Sequence, residues 1–357
     1  MTSSWNDRFS PRMAQVRASE IRELLKLLDQ PDILSFAGGI PDPALFPTAR
    51  IAELYGEVLA EAGDQALQYS VSEGLPALRR WIAARMTAQG APCDEGNIVI
   101  TAGSQQALDL IGKLFIGRGD AVLVERPTYM GALGAFNAYE PSYADLEGDV
   151  PAGARLAYVV PDFANPSGRT MPRREREALL ARATAHDLVV IEDAAYRDLR
   201  FTGTDEPSLL ALDVARSGGI EGARTLYCGT FSKTLSPALR LGWVCGPRAV
   251  IDKLVLLKQG CDPTFVAVAF AWAAGEGFAD VVEAEDLSGG DFVRTTKQLI
   301  DLLRQLAIVA PERATRQATQ QASDALFRGV VAASSALEEE TTATDDPDGS
   351  DGADPEG

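Results

Sequence analysis

The stretch "NIVITAGSQQALDLIGKLF", residues 97–115, changes its period at a glycine. Before Gly103 the apolar residues run together and are mostly β-branched. After it Ala107, Leu108, Ile111, Leu114 and Phe115 recur at the spacing of one helix face. The stretch therefore reads as a strand, a tight turn and a helix. The same alternation continues through "DAVLVERP" (120–127), "RLAYVVPDFANPSG" (155–168), the charged helical "PRREREALLARATAH" (172–186), "DLVVIEDAAY" (187–196), "TLYCGTFSK" (225–233) and "LGWVCGP" (241–247). The strand runs are rich in Val, Ile and Leu and nearly continuous, as strands buried on both faces are. The expected fold class is α/β, a mainly parallel sheet with helices on both faces.

Upstream, "ASEIRELLKLLDQ" (18–30) reads as an amphipathic helix, "SFAGGIPDPALFP" (35–47) as a Gly/Pro loop, and "LPALRRWIAARMTAQG" (75–90) as a helix ending at Gly90. Beyond "CDPTF" (261–265) the pattern is helical throughout, and no internal repeat is found. The expected organisation is an N-terminal arm (1–47), a ligand-binding domain (48–261), a helical domain (262–337) and a disordered acidic tail (338–357). That tail carries nine acids and no base, half of the chain's net charge of -18. Such a composition cannot offset the entropy of ordering. What remains is mildly acidic, which argues against a broad nucleic-acid surface.

With 46% hydrophobic residues among 357, the chain can bury a sizeable core. Its four cysteines lie far apart and it has a single histidine, His186, so neither a disulfide framework nor a zinc site is expected. No apolar h-region opens the chain, and its longest apolar run, "FVAVAFAWAA" (265–274), is too short to span a membrane. A cytoplasmic location, with no membrane contact and no metal, is the expectation.

In open α/β sheets ligands bind at the carboxyl ends of strands, and the polar residues cluster there. Gly103, Ser104 and Gln105 open a helix, either as an ordinary capped turn or as an anion cradle of backbone N–H groups. No GxxxxGK[ST] or GxGxxG motif occurs, which disfavours ATPase and dinucleotide readings. Asp193 ends an apolar strand with Tyr196 three residues on; it either caps a helix or holds a cationic ring nitrogen. Asn165 shapes a turn or points its amide at a ligand, and Tyr129 packs in the core or covers a flat ring. Lys233 is one of only six lysines, with Arg240 seven residues on. A desolvated lysine is a nucleophile, and the arginine could bind an anion beside it.

Taken in order, and with "FAGGIPDPALFP" (36–47) and "LQYSVSEGLPALR" (67–79) ahead of them, these residues resemble the fold-type-I, class I/II pyridoxal-phosphate aminotransferases. The likeness is to the aminoadipate and aromatic aminotransferase branch and to the catalytic domain of MocR-type regulators, over about residues 8–260. The resemblance implies that Lys233 forms the Schiff base with pyridoxal 5′-phosphate and shuttles the proton. It implies that Asp193 keeps the ring nitrogen protonated, that Tyr196 and Asn165 bond the ring oxygen, and that Tyr129 stacks on the ring. Gly103, Ser104, Gln105, Thr230, Ser232 and Arg240 would gather the phosphate. Tyr69 would reach the phosphate of a second subunit, implying a homodimer, while Gly39 and Asn165 would line the substrate. His186 is given no role. The substrates implied are an amino acid and a 2-oxo acid.

These enzymes continue into a small α/β domain that supplies an arginine for the substrate carboxylate. Here Arg294, Arg304, Arg313, Arg316 and Arg328 all lie in helical-period segments. Instead "FVAVAFAWAAGEGFADVV" (265–282) and "LSGGDFVRTTKQLIDLLRQLA" (287–307) resemble the C-terminal helical domain of Ski-type DExH-box RNA helicases. The chain reads as a chimera. No motor motif accompanies that domain, so unwinding is excluded and contact with a partner or with RNA is the remaining role. Apolar surface before about residue 47 is expected to be exposed. The alternative to an active, or impaired, aminotransferase is a non-catalytic protein that binds pyridoxal phosphate or interacts through the helicase-like tail.

Overall fold

The computed structural model describes residues 5–16 and 41–261. The expected helix at 18–30, Gly39, the helical domain and the acidic tail lie outside the described residues. Seven strands form one sheet: β1 (Ile98–Thr101), β2 (Ala121–Val124), β3 (Ser142–Asp145), β4 (Ala154–Val159), β5 (Val189–Asp193), β6 (Thr225–Thr230) and β7 (Gly242–Cys245). Their order is β1-β7-β6-β5-β4-β2-β3. Strands β6, β5, β4, β2 and β3 run parallel, while β7 is antiparallel to both β1 and β6.

The helices are α1 (Thr48–Ala66), α2 (Pro76–Ala88), α3 (Ser104–Phe115), α4 (Met130–Phe136), α5 (Arg173–Ala185), α6 (Leu209–Ser217) and α7 (Arg248–Gln259). They cover both faces, which is why the strand runs are continuous. Ile98 and Ile100 of β1 pack with Leu78, Ile82 and Met86 of α2, whereas Val99 packs with Leu108 and Ile111 of α3. In β5, Val190 joins Leu179, Leu180 and Leu209, while its neighbour Ile191 joins Tyr158 and Leu226.

The expected strands and the helices at 75–90, 104–115 and 172–186 are present. Edge strand β3, half-exposed and not apolar, was not expected; neither was the antiparallel direction of β7, which no residue pattern announces. Among the residues before Pro47, Trp5, Phe9, Met13, Val16 and Leu45 are exposed.

The period-2 alternation of β5 assigns two adjacent acids to different work. The Glu192 carboxylate accepts the backbone N–H groups of Leu209 and Leu210, both at 2.9 Å, and so caps α6 together with Ser208. Asp193 faces the other side. Helix capping therefore falls to Glu192, and Asp193 is left for something else.

Candidate active site

The carboxyl ends of β4, β5 and β6 bring Asn165, Asp193 and Thr230 to one edge of the sheet, where the turn after β1 also arrives. Asp193 is buried, and the Tyr158 hydroxyl donates to its Oδ2 at 2.9 Å. Its Oδ1 is buried with no hydrogen-bond partner among the described residues. Burial pushes the Asp193 carboxyl up to about 6, against the opposing pull of the Tyr158 hydroxyl and the nearby Ala195 amide. A buried carboxylate oxygen without a donor is costly, so this one suits a cationic N–H brought by a ligand.

Lys233 follows β6, half-buried, with Nζ 5.8 Å from the centre of the Tyr196 ring. Burial lowers its pKa from the ordinary lysine value, which raises the fraction of neutral, nucleophilic amine. Asn165 Nδ2 donates to the Tyr196 hydroxyl at 3.3 Å, so the turn after β4 and the segment after β5 meet there. Burial raises the Tyr196 pKa, and the phenol stays protonated.

Backbone geometry assembles a third region. Gly103 has φ +76°, a conformation side chains disfavour, and a Cβ there would lie 2.8 Å from Arg240 Nη2. Arg240 Nη2 donates to the Ala102 carbonyl at 2.8 Å, which holds the guanidinium over the turn. Gly242 approaches so closely that a Cβ there would meet Gly103 backbone atoms at 2.8 Å. Beside them the Ser232 amide donates to Thr230 Oγ1 at 3.1 Å, with the two hydroxyls 2.9 Å apart. Ser104 is the first residue of α3, next to the turn. Gln105 Nε2 donates to the Gly131 carbonyl at 2.8 Å and ties this turn to the loop carrying Tyr129. The result is an exposed guanidinium, a helix N-terminus and two hydroxyls together, a fit for an anion.

Tyr69 is not brought to these residues within one chain; it is 83% exposed, beside exposed Leu67 and Val71. His186 caps the end of α5, apart from the site residues. Among the described residues no group of His, Cys, Asp and Glu is arranged to hold a metal, and no helix is long and apolar enough to cross a membrane.

Two supports were not singled out in the sequence. Tyr158 is one. The other is Asp162, buried in the same turn as Asn165, whose carboxylate receives Arg176, Arg197 and Arg200. Arg197 directly follows Tyr196, so this ion cluster locks the Asn165 turn to the Tyr196 segment. The only sequence signal was a set of charges inside or beside apolar runs.

The model described as aminotransferase class I and II matches residues 31–140, and that of the DSHCT (NUC185) domain matches residues 240–334. The second match begins inside the described fold, at Arg240, upstream of the residue-262 boundary expected from sequence. The aromatic-amino-acid aminotransferase 1 of Thermococcus litoralis is 38% identical over 298 residues, covering 77% of this chain and 70% of that protein. The 2-aminoadipate transaminase of Thermus thermophilus is 42% identical over 276 residues, covering 72% of this chain and 66% of its own. The chain thus spans about two thirds of the length of these curated relatives. Among solved structures, the α-aminoadipate aminotransferase LysN of Thermus thermophilus, complexed with N-(5′-phosphopyridoxyl)-L-leucine, superposes with a TM-score of 0.71. It is 35% identical, over 86% of this chain and 78% of that one.

Proposed function

We propose that this chain, which belongs to the class I and II aminotransferases, transfers an amino group between an amino acid and a 2-oxo acid. The family's cofactor is pyridoxal 5′-phosphate, and the residues present fit it. The observation that carries the reading is the buried Asp193 with its unpartnered Oδ1, set at the same sheet edge as a lysine of lowered pKa. A pyridinium N–H would supply the missing donor.

When bound, the cofactor supplies an electron sink for the charge that develops at the substrate α-carbon. This chain's residues would do the rest. Lys233 Nζ would hold the cofactor covalently, then take and return the α-carbon proton. Asp193 Oδ1 would keep the ring nitrogen protonated. Asn165 and Tyr196, already joined at 3.3 Å, would hold the ring oxygen, and Tyr129 would cover the ring face. The Gly103–Ser104–Gln105 turn, Thr230, Ser232 and Arg240 would hold the phosphate. Gln105 would contribute its backbone amide, since its side chain is engaged by Gly131. Gly39, with Asn165, would line the substrate. We read Tyr69, with exposed Leu67 and Val71 beside it, as part of a homodimer surface that reaches a second copy's phosphate site.

The match to the DSHCT domain over 240–334 favours a second reading, in which the chain is a chimera that binds the cofactor with little or no turnover. The stretch expected to carry the arginine for the substrate carboxylate has a different character here. One experiment separates the two. The purified full chain is loaded with pyridoxal phosphate, reduced with borohydride and mapped to Lys233; unreduced protein is mixed with amino acids and assayed for pyridoxamine phosphate. Attachment with conversion supports the aminotransferase, and attachment without conversion supports the second reading. No adduct at Lys233 overturns both.

A further inference from the structure

Tyr158 lies in β4, wholly buried, on the strand next to Asp193. Its ring meets Phe136 edge-on, with centroids 5.9 Å apart at 78°. That packing fixes the ring and aims the hydroxyl at Asp193 Oδ2, 2.9 Å away. A carboxylate turns easily about its last torsion, and no other described side chain donates to Asp193. The Ala195 backbone amide also bears on the carboxylate, so the phenol is the one side chain among the described residues that directs it. We propose that Tyr158 is a positioning residue: by occupying Oδ2 it fixes the Asp193 carboxylate so that Oδ1 is the oxygen presented to the cofactor ring nitrogen. This rests on the pyridoxal-phosphate reading of the site. Burial pushes the Tyr158 pKa well above its usual value, so the hydroxyl keeps its proton, and remains a donor, through the neutral range.

The division of labour is chemically specific. Both oxygens of a carboxylate can accept, and a ring N–H needs one of them in a defined direction. A phenol held from the neighbouring strand supplies a hydrogen bond that opposes the upward push of burial. Tyr158 therefore acts through Asp193 in two ways, on its orientation and on its ionisation, without touching the reacting atoms.

The test uses the full-length chain, first free of cofactor and then titrated with pyridoxal phosphate. The C=O stretch of protonated Asp193 is isolated by infrared difference against Asp193→Asn and followed with pH. The wild-type midpoint is expected near 6. Tyr158→Phe keeps the ring packing and removes the donor, and its midpoint is expected to rise by about one unit. Its dissociation constant for pyridoxal phosphate is expected to rise about tenfold, with attachment at Lys233 retained. Replacing tyrosine biosynthetically by the more acidic 3-fluorotyrosine shifts the midpoint the other way and keeps every side chain in place. It decides the matter if the phenylalanine variant does not fold. An unchanged midpoint in either protein overturns the proposal, as does unchanged affinity in a folded Tyr158→Phe chain. A wild-type chain that takes up no pyridoxal phosphate overturns the underlying reading. That outcome is seen separately, because the infrared titration needs no cofactor.

Discussion

Asp162→Ala should be among the most damaging single substitutions in the described domain, although Asp162 touches no reacting group. The carboxylate is 1% exposed and receives Arg176 at 2.8 and 3.2 Å, Arg197 at 3.1 Å and Arg200 at 3.1 Å. Arg176 is itself fully buried. Removing the acid leaves a buried guanidinium with only carbonyls as hydrogen-bond partners, those of Met171, Pro161 and Pro207. Breaking a buried pair in this way costs about 3–5 kcal/mol, a large share of the roughly 5–15 kcal/mol that holds a domain folded. Asp162→Leu combined with Arg176→Met removes the acid together with the fully buried one of its three arginine partners, and should recover about 2 kcal/mol relative to Asp162→Leu alone. The assay is urea unfolding of the full chain followed by tryptophan fluorescence, with far-UV circular dichroism to verify a common baseline. The turn that Asp162 anchors also carries Asn165, so affinity for pyridoxal phosphate should fall in parallel with stability. A loss below about 1 kcal/mol for Asp162→Ala, or a double variant no better than the single, would refute the reasoning that the cluster is a compensated buried charge.

Two further predictions concern the site itself. The Asp193 carboxyl titrates near 3.8 in an unfolded chain and at about 6 in the fold. Its contribution to stability is therefore fully present below about 3.8 and is lost as pH rises through about 6. For cofactor-free protein this amounts to about 3 kcal/mol, so Asp193→Asn should be more stable than wild type at pH 7 and lose that advantage at pH 4, read by paired urea titrations. Gly242→Ala places a methyl 2.8 Å from Gly103 backbone atoms that cannot yield, and should cost about 1–3 kcal/mol and weaken pyridoxal-phosphate binding. Gly134→Ala, which meets nothing within 4 Å, should leave both unchanged or slightly improved in thermal melts and binding titrations.

How much of this was legible in the sequence follows from the range of the interactions. The alternation of continuous apolar runs and helical periods reports burial on both faces, a local property, and it located six of the seven strands. Edge strand β3 escaped because "SYAD" carries no apolar run. The direction of β7 escaped because reversal depends on the Leu235–Leu241 turn geometry and on pairing with β1, more than a hundred residues away. Asn165, Asp193, Lys233 and Arg240 stand out in the sequence as polar residues in the turns that flank apolar runs, each open to a structural reading alone, and only their joint order, through the family resemblance, gives them roles. Tyr158 sits inside such a run, where a tyrosine reads as core.

That asymmetry bears on how the site is built. Residues that would touch a cofactor lie at strand ends, where the chain leaves the sheet and side chains can face a cleft. The residues that hold them, Tyr158, Asp162 and Arg176, are buried within the sheet or beneath the turns and act across 14 to 38 residues of sequence. Neither set explains the geometry alone. A phenol in β4 has no evident reason to be polar until Asp193 is placed on β5, and Asp193 has no evident reason to keep an empty oxygen until a cationic ligand is considered. The turn from Asp162 to Asn165 links the two sets: one end is locked by arginines and the other meets Tyr196. Rigidity at the buried end is what gives the exposed end a fixed direction, so stability and ligand geometry at this sheet edge should respond to the same substitutions.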